Sequence, residues 1–213
     1  SDITFSTSVL ATGTDSNRGD LTLRAGRSII LDADVRIALN NRNFSATIND
    51  NGASRGSTSS VPHRADGSAE FTMRSGSSIV TNGGDITIST GDFPRNDIGT
   101  ISVRNLDVTR GNRGGSAGAV TITDLNGPST SSILINGEID VLVTGQTYGI
   151  RAHGTGSDGN GGDGGNIVIT STNGGVGVNA FVSTNGGNGD ENSSGSGDGG
   201  IAGGITFGVG NQL

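Results

Sequence analysis

Residues 156–169 read GSDGNGGDGGNIVI, a run of glycine and aspartate that ends on alternating isoleucines. Such a run suits a calcium roll, a phosphate-cradling loop, or a long turn that feeds a strand. A calcium roll requires Gly-Gly-x-Gly-x-Asp-x-apolar-x in tandem, so that carboxylates and carbonyls of successive turns build a cage of hard oxygens. Residues 161–169 fit except at Asn166, which stands where the carboxylate belongs; residues 186–194 carry Glu191 there and Ser193 in the apolar position. Neither copy is followed by another. What remains is a looser calcium site in which Asp158, Asp163, Asp190 and Asp198 converge from two acidic loops, set against the plainer reading of solvated turn residues. A Walker-type phosphate loop needs a lysine, which the chain lacks, and a dinucleotide fingerprint needs a helix behind its glycines.

Hydrolysis of a glycosidic bond needs two carboxylates at a set separation. By alternation Asp32 and Asp34 in LDADVRI share one strand face, Asp85, Asp92 and Asp97 fall near one corner, and Arg36 is the base that lyase chemistry would use. The same alternation turns Asp32 and Asp34 to solvent, opposite Leu31, Ala33 and Val35. A sugar cleft would also lack stacking platforms, since there is no Trp and Tyr148 is the only tyrosine. His63 and His153 lie far apart in Gly/Ser-rich stretches, without the spacing of a metal pair or a Ser-His-Asp set. Of the two, His153 is the better ligand contact, because Tyr148, Arg151 and Asp158 flank it.

Strands must position these residues. Leu21 and Leu23, Phe71 and Met73, Ile86 and Ile88, Ile101 and Val103, Val120 and Ile122, Ile167 and Ile169, and Ile205 and Phe207 all alternate with period two. No stretch keeps a helical period, so almost no helix is expected. GDLTLRAGRSIILDADVRIAL (19–39), GSAEFTMRSGSSIVTNGGDITI (67–88), GTISVRNLDVTRG (99–111), GAVTITDLNG (118–127) and GGNIVITSTNGGVGVNAFVSTNGG (164–187) share one unit. Each opens on glycine, runs apolar-x-apolar and turns a polar corner, and most then add a second burst. Recurrence of both bursts favours a solenoid over a sandwich, with a narrow core of stacked aliphatic side chains. About eight coils at ~4.8 Å would make a rod about 40 Å long. Residues 42–66, 145–164 and 185–200 are expected as long Gly/Asn/Asp-rich loops leaving that coil, and the whole of 1–213 as a single domain.

Composition narrows the partners. Among 213 residues, 13 basic and 20 acidic side chains give a net charge of −7, which argues against nucleic acid or an anionic membrane surface. All the basic residues are arginine, and Arg24, Arg74 and Arg104 fall at outward phases of strands as solvated charges. No cysteine is available for disulfides or thiolate chemistry, and no apolar run reaches the ~18 residues of a membrane span. The opening SDITFSTSVL, without Met or a signal pattern, is read as belonging to a processed product or a piece of a longer chain.

The phrases GDLTLRAGRSIIL, GGDITISTGD, GGSAGAVTITD and GNGGDGGNIVITS resemble the repeats of filamentous haemagglutinin-like exoproteins of the two-partner secretion type, over about residues 19–204. The resemblance implies a right-handed parallel β-helix, secreted or at the cell surface, acting without catalysis in adhesion or as an extracellular structural element. The implied partners are a host or matrix glycan or protein, or neighbouring copies of the chain. Asn-Pro-Asn signatures of that family's secretion domain are absent; prolines occur only at Pro62, Pro94 and Pro128. The alternative function is a carbohydrate-active β-helix. A third reading, an ice- or surface-binding flat face, rests on the Thr-rich runs 87–90 and 121–123. It needs those threonines outward in register over several coils, which the interruptions between the runs argue against.

Overall fold

Period-two apolar bursts bury one face of a short strand, and the Gly and Asx residues between bursts supply the turns. The computed structural model describes residues 2–11, 19–54, 66–92, 97–110, 115–125, 127–128, 130, 132–140, 146–156, 160–188 and 198–210. The strands are β1 (Ile3–Phe5), β2 (Val9–Ala11), β3 (Leu21–Arg24), β4 (Ile29–Leu31), β5 (Arg36–Leu39), β6 (Phe44–Ile48), β7 (Ala69–Met73), β8 (Ser78–Val80), β9 (Ile86–Thr90) and β10 (Ile98–Val103). They continue as β11 (Asn105–Asp107), β12 (Val120–Asp124), β13 (Ser132–Ile135), β14 (Glu138–Asp140), β15 (Gln146–Arg151), β16 (Ile167–Ser171), β17 (Gly175–Val178), β18 (Phe181–Ser183) and β19 (Ile205–Val209). One 3-10 turn, Gly52–Ser54, is the only helical element among the described residues.

Every third strand pairs in parallel. The first sheet runs β1-β4-β7-β10-β13-β17, the second β2-β5-β8-β11-β15-β18, and the third β3-β6-β9-β12-β16-β19. The described residues therefore form a three-sided parallel β-solenoid of six coils, with β14 added antiparallel to the first half of β15. Six coils replace the expected eight because each coil holds three strands rather than two bursts. Five inter-coil steps of ~4.8 Å give a stack of roughly 24 Å. The equivalent residues Ile3, Ile29, Phe71, Ile101, Ile133 and Val176 lie 26, 42, 30, 32 and 43 residues apart, so coil length varies while strand position does not. Two of the expected loops contain strands, β6 within 42–66 and β15 within 145–164. β6 carries only Ser45, Ala46 and Thr47 between Phe44 and Ile48, and β15 opens on Gln146 and holds Gly149 before Ile150, which masked the alternation.

Inward positions stack in columns. Phe44, Ile86, Val120 and Ile167 form one on the third sheet, and Leu31, Met73, Val103 and Ile135 one on the first, all essentially buried. Ile205 and Phe207 occupy the same phase on β19, but at 41% and 46% exposure, because among the described residues no further strand pairs beyond β19.

Polar side chains stitch the corners from coil to coil. Asp20 Oδ1 accepts from Asn43 N, Asn43 Oδ1 from Asp85 N, and Asp85 Oδ1 from Ala119 N; Asn166 Oδ1 accepts from Gly204 N. Each Asx side chain thus satisfies a backbone donor of the next coil. The arginines act likewise: Arg27 grips both carboxylate oxygens of Asp2, Arg24 both of Asp50, Arg74 pairs with Asp32, and Arg104 donates to Met73 O and Gly137 O. A two-pronged guanidinium makes such clamps where an ammonium cannot. Arg24 and Arg74 remain more than half exposed, solvated as expected, and act in addition as inter-coil staples.

The outward face of the third sheet is the most regular surface. One column runs Thr22, Ser45, Thr87, Thr121, Val168, Thr206 and the next Arg24, Thr47, Ser89, Thr123, Thr170, Gly208. The interruptions expected between Thr-rich runs lie in the corners and leave this register intact.

Candidate functional site

The second sheet ends at a polar cluster. Outward from β15, Arg151 Nη2 donates to Asp107 Oδ2 at 2.6 Å, and its guanidinium sits 5.1 Å above the Tyr148 ring. Tyr148 in turn faces Phe181 of the next coil, ring centres 6.1 Å apart. Two residues on, the His153 amide donates to Thr109 Oγ1, and His153 Nε2 hydrogen-bonds Ser183 Oγ. The structure therefore brings together Tyr148, Arg151 and His153, the trio expected from sequence, and adds Asp107 and Ser183. Neither addition was legible, because Asp107 lies 44 residues before Arg151 and Ser183 lies 30 after His153.

A serine beside an imidazole is the start of a nucleophile–base pair. The nearby Asp107 carboxylate is bonded to Arg151 instead, so no triad is completed among the described residues. Burial lowers the His153 pKa from its ordinary 6.5, the Arg151 cation lowers it further, and Asp107 partly opposes both. The cluster offers a neutral imidazole, a cation and an aromatic face, which suits binding a polar ligand.

The lowered pKa has a signed consequence. Below pH ~6.5 the unfolded chain takes a proton that folded His153 resists, so stability is full above that value and falls as pH drops towards the folded-state pKa. Urea midpoints should decline between pH ~7 and pH ~5.5, and His153→Gln should flatten that decline. An unchanged slope in the variant would contradict the assignment.

The acidic residues separate into two groups. Asp158 and Asp190 lie outside the described residues, as does His63. Asp163 and Asp198 are exposed at a corner: Asp163 Oδ1 accepts from Ile201 N at 2.8 Å, and the Asp198 amide donates to Asn160 Oδ1 at 3.1 Å. Among the described residues, no three His, Asp or Glu side chains gather as a metal cluster. Asp163 repeats the Asx stitch of the other corners. Asp163→Asn, which keeps the acceptor, should leave the melting midpoint within error with or without calcium, whereas Asp163→Ala should lose roughly 1 kcal/mol. A calcium-dependent midpoint that Asp163→Asn abolishes would favour the metal reading instead.

Residues 161–165 are not a loop extruded from the coil, as their glycine content suggested. Gly161 N and Gly164 N donate to Asp198 O and Ile201 O, while Gly162 N and Gly165 N donate to Thr155 O and Ala152 O. Successive bonds to one neighbour recur every three residues, the period of the polyproline II helix, which has no internal hydrogen bonds. Gly187 N bonds Gly162 O and Gly200 N bonds Gly187 O, closing a bundle of extended glycine segments. The bundle is tight: a Cβ at Gly162 would lie 2.1 Å from Gly115 O, and one at Gly186 would lie 1.9 Å from Gly200 O. Glycine is required here for close approach.

The chain matches no protein-family model, no curated protein and no solved structure. Function is therefore argued from this geometry.

The carboxylates proposed for sugar chemistry are dispersed. Asp32 and Asp34 lie in the turn after β4, with Asp34 at φ 61°, rather than on a strand face; Asp32 is held by Arg74 and Ser6. Asp85 and Asp92 flank opposite ends of β9, roughly 20 Å apart along an extended chain, and so do not share a corner. Arg36 opens β5 on its exposed face. A different trio lines a groove of about 280 Å³ beside the third sheet: Arg24, Asp50 and Asp92. Burial works against the Asp50 charge, but bonds from Arg24 and from the Gly52 and Ala53 amides outweigh it and hold the carboxyl below its ordinary range. A carboxylate so held cannot serve as a general acid near neutrality. Among the described residues, no helix is long and apolar enough to cross a membrane.

Proposed function

We propose that this chain is a stiff, non-enzymatic length of a bacterial surface fibre or adhesin, working outside the cell as a right-handed β-solenoid of the filamentous haemagglutinin-like kind. The right hand follows from the strong preference of parallel crossover connections for it. The observation that carries the reading is the character of the last coil. Residues 164–188 and 199–213 contain no charged side chain, and Val178, Ile205, Phe207 and Val209 are 41–56% exposed on β17 and β19. Natural sheet edges are ordinarily guarded by charge, proline or a covering element. Among the described residues nothing covers these inward-phase apolar side chains, which suits continuation of the stack by adjoining repeats of a longer chain or by a neighbouring copy, the latter a head-to-tail contact that propagates as a filament. The Tyr148–Arg151–His153 cluster supplies a lateral contact for a host or matrix glycan or protein.

Sedimentation over a range of concentrations tests the assembly. The wild-type chain should form end-to-end oligomers that grow with concentration, and Phe207→Asp should remain a monomer with an unchanged circular dichroism spectrum. A wild-type chain that stays monomeric throughout would contradict self-stacking.

The groove at Arg24, Asp50 and Asp92 supports the second reading, a carbohydrate-active β-helix. Cleavage of a polysaccharide that Asp92→Asn abolishes would establish it in place of the first.

A further inference from the structure

Five of the six strands in the third sheet, β6, β9, β12, β16 and β19, are five residues long and pair without a register shift. The first sheet shifts between Ile98 and Ile101, and the second between Tyr148 and Ile150. The backbone therefore lays the outward Ser/Thr columns in an unbroken two-dimensional register, ~4.8 Å between coils and ~6.7 Å between alternate residues of a strand. Across the four central coils seven of the eight positions carry a hydroxyl, and Val168 keeps the forked shape of threonine. β-Branching restricts χ1 at most of these positions, so the array is stiff before anything binds.

Charge is sparse on this face: Arg24 in the first coil is the only ionisable side chain in the two columns, with exposed Asp20 and Asp85 in the corner row beside them, whereas outward strand positions of the other sheets hold Glu70, Arg36, Asp107 and Arg151. No aromatic ring stands on it, so a sugar ring would find no stacking platform. A sparsely charged, rigid lattice of alternating methyl and hydroxyl groups is complementary to a surface that is neutral, rigid and periodic. The coil spacing lies within a few tenths of an ångström of the repeat between oxygen rows on the prism face of ice.

We propose that the outward face of the third sheet binds ice, with the Ser/Thr columns ordering water into the lattice of the crystal surface. The inference does not depend on the fibre reading above, and a monomer would show it equally.

The test is ice recrystallisation inhibition by the purified chain, with capture onto a growing ice surface as a second readout. Thr121→Tyr at the centre of the face is compared with Thr72→Tyr on the outward side of β7, after circular dichroism and melting midpoints show both folded. The wild-type chain and Thr72→Tyr should inhibit recrystallisation and enter the ice, and Thr121→Tyr should lose most of both. Absence of inhibition by the wild-type chain, or equal loss in the two variants, would overturn the proposal. So would retention on crystalline cellulose or chitin without any effect on ice.

Discussion

Gly162→Ala should destabilise the protein by about 3 kcal/mol or more, at or beyond the upper end of ordinary overpacking. A methyl at that position would meet Gly115 O and its carbonyl carbon at 2.1 and 2.2 Å. The obstacle is backbone: Gly115 O accepts from Thr155 N at 3.3 Å, and Gly162 is itself held because its N donates to Thr155 O and its O accepts from Gly187 N at 2.8 Å. No rotamer change relieves it; one segment of the bundle must move and forfeit its lateral bonds. Gly175→Ala is the matched control, because a Cβ there meets nothing within 4 Å. It should be neutral or stabilising by about 0.4–1 kcal/mol, through loss of freedom in the unfolded chain. Urea unfolding of the two variants decides the matter, since a solvated glycine loop would make them alike.

Truncating the core should depend on coil position in the way a solenoid requires. Phe71 is fully buried on β7, between Ile29 and Ile101 of neighbouring coils, and Phe71→Ala should remove about 3–5 kcal/mol. Phe207 has the same inward phase on β19 and a neighbour on one side only, Ile169. Phe207→Ala should remove about 1 kcal/mol or less, because half its surface is already in water. Equal costs would mean that a further element covers the last coil.

The sequence carried the strands well and the glycines poorly, for a physical reason. Burial on one face imposes a period of two, and Ile86–Thr90, Val120–Asp124 and Ile167–Ser171 display it openly. β6 escaped because Ser45, Ala46 and Thr47 blur the apolar rhythm, although Ala46 is fully buried. Glycine marks both a solvated turn and a position where two backbones touch, and only the neighbouring segment tells them apart. For Gly162 that neighbour is Gly115, 47 residues earlier. The Tyr148, Arg151 and His153 cluster was legible because its members are near in sequence; Asp107 and Ser183 were brought to it by coil stacking. The coil-to-coil role of Asp163 was not legible, because its partner Ile201 N lies 38 residues later in the chain.

Native-state hydrogen exchange on the glycine amides tests the central claim, that these segments are packed structure. Gly161, Gly162, Gly187 and Gly200 should exchange with protection comparable to the β16 amides of Ile167 and Ile169, and lose it together in Gly162→Ala. Exchange of those four amides at the rate of an unstructured chain, beside a protected β16, would contradict the account.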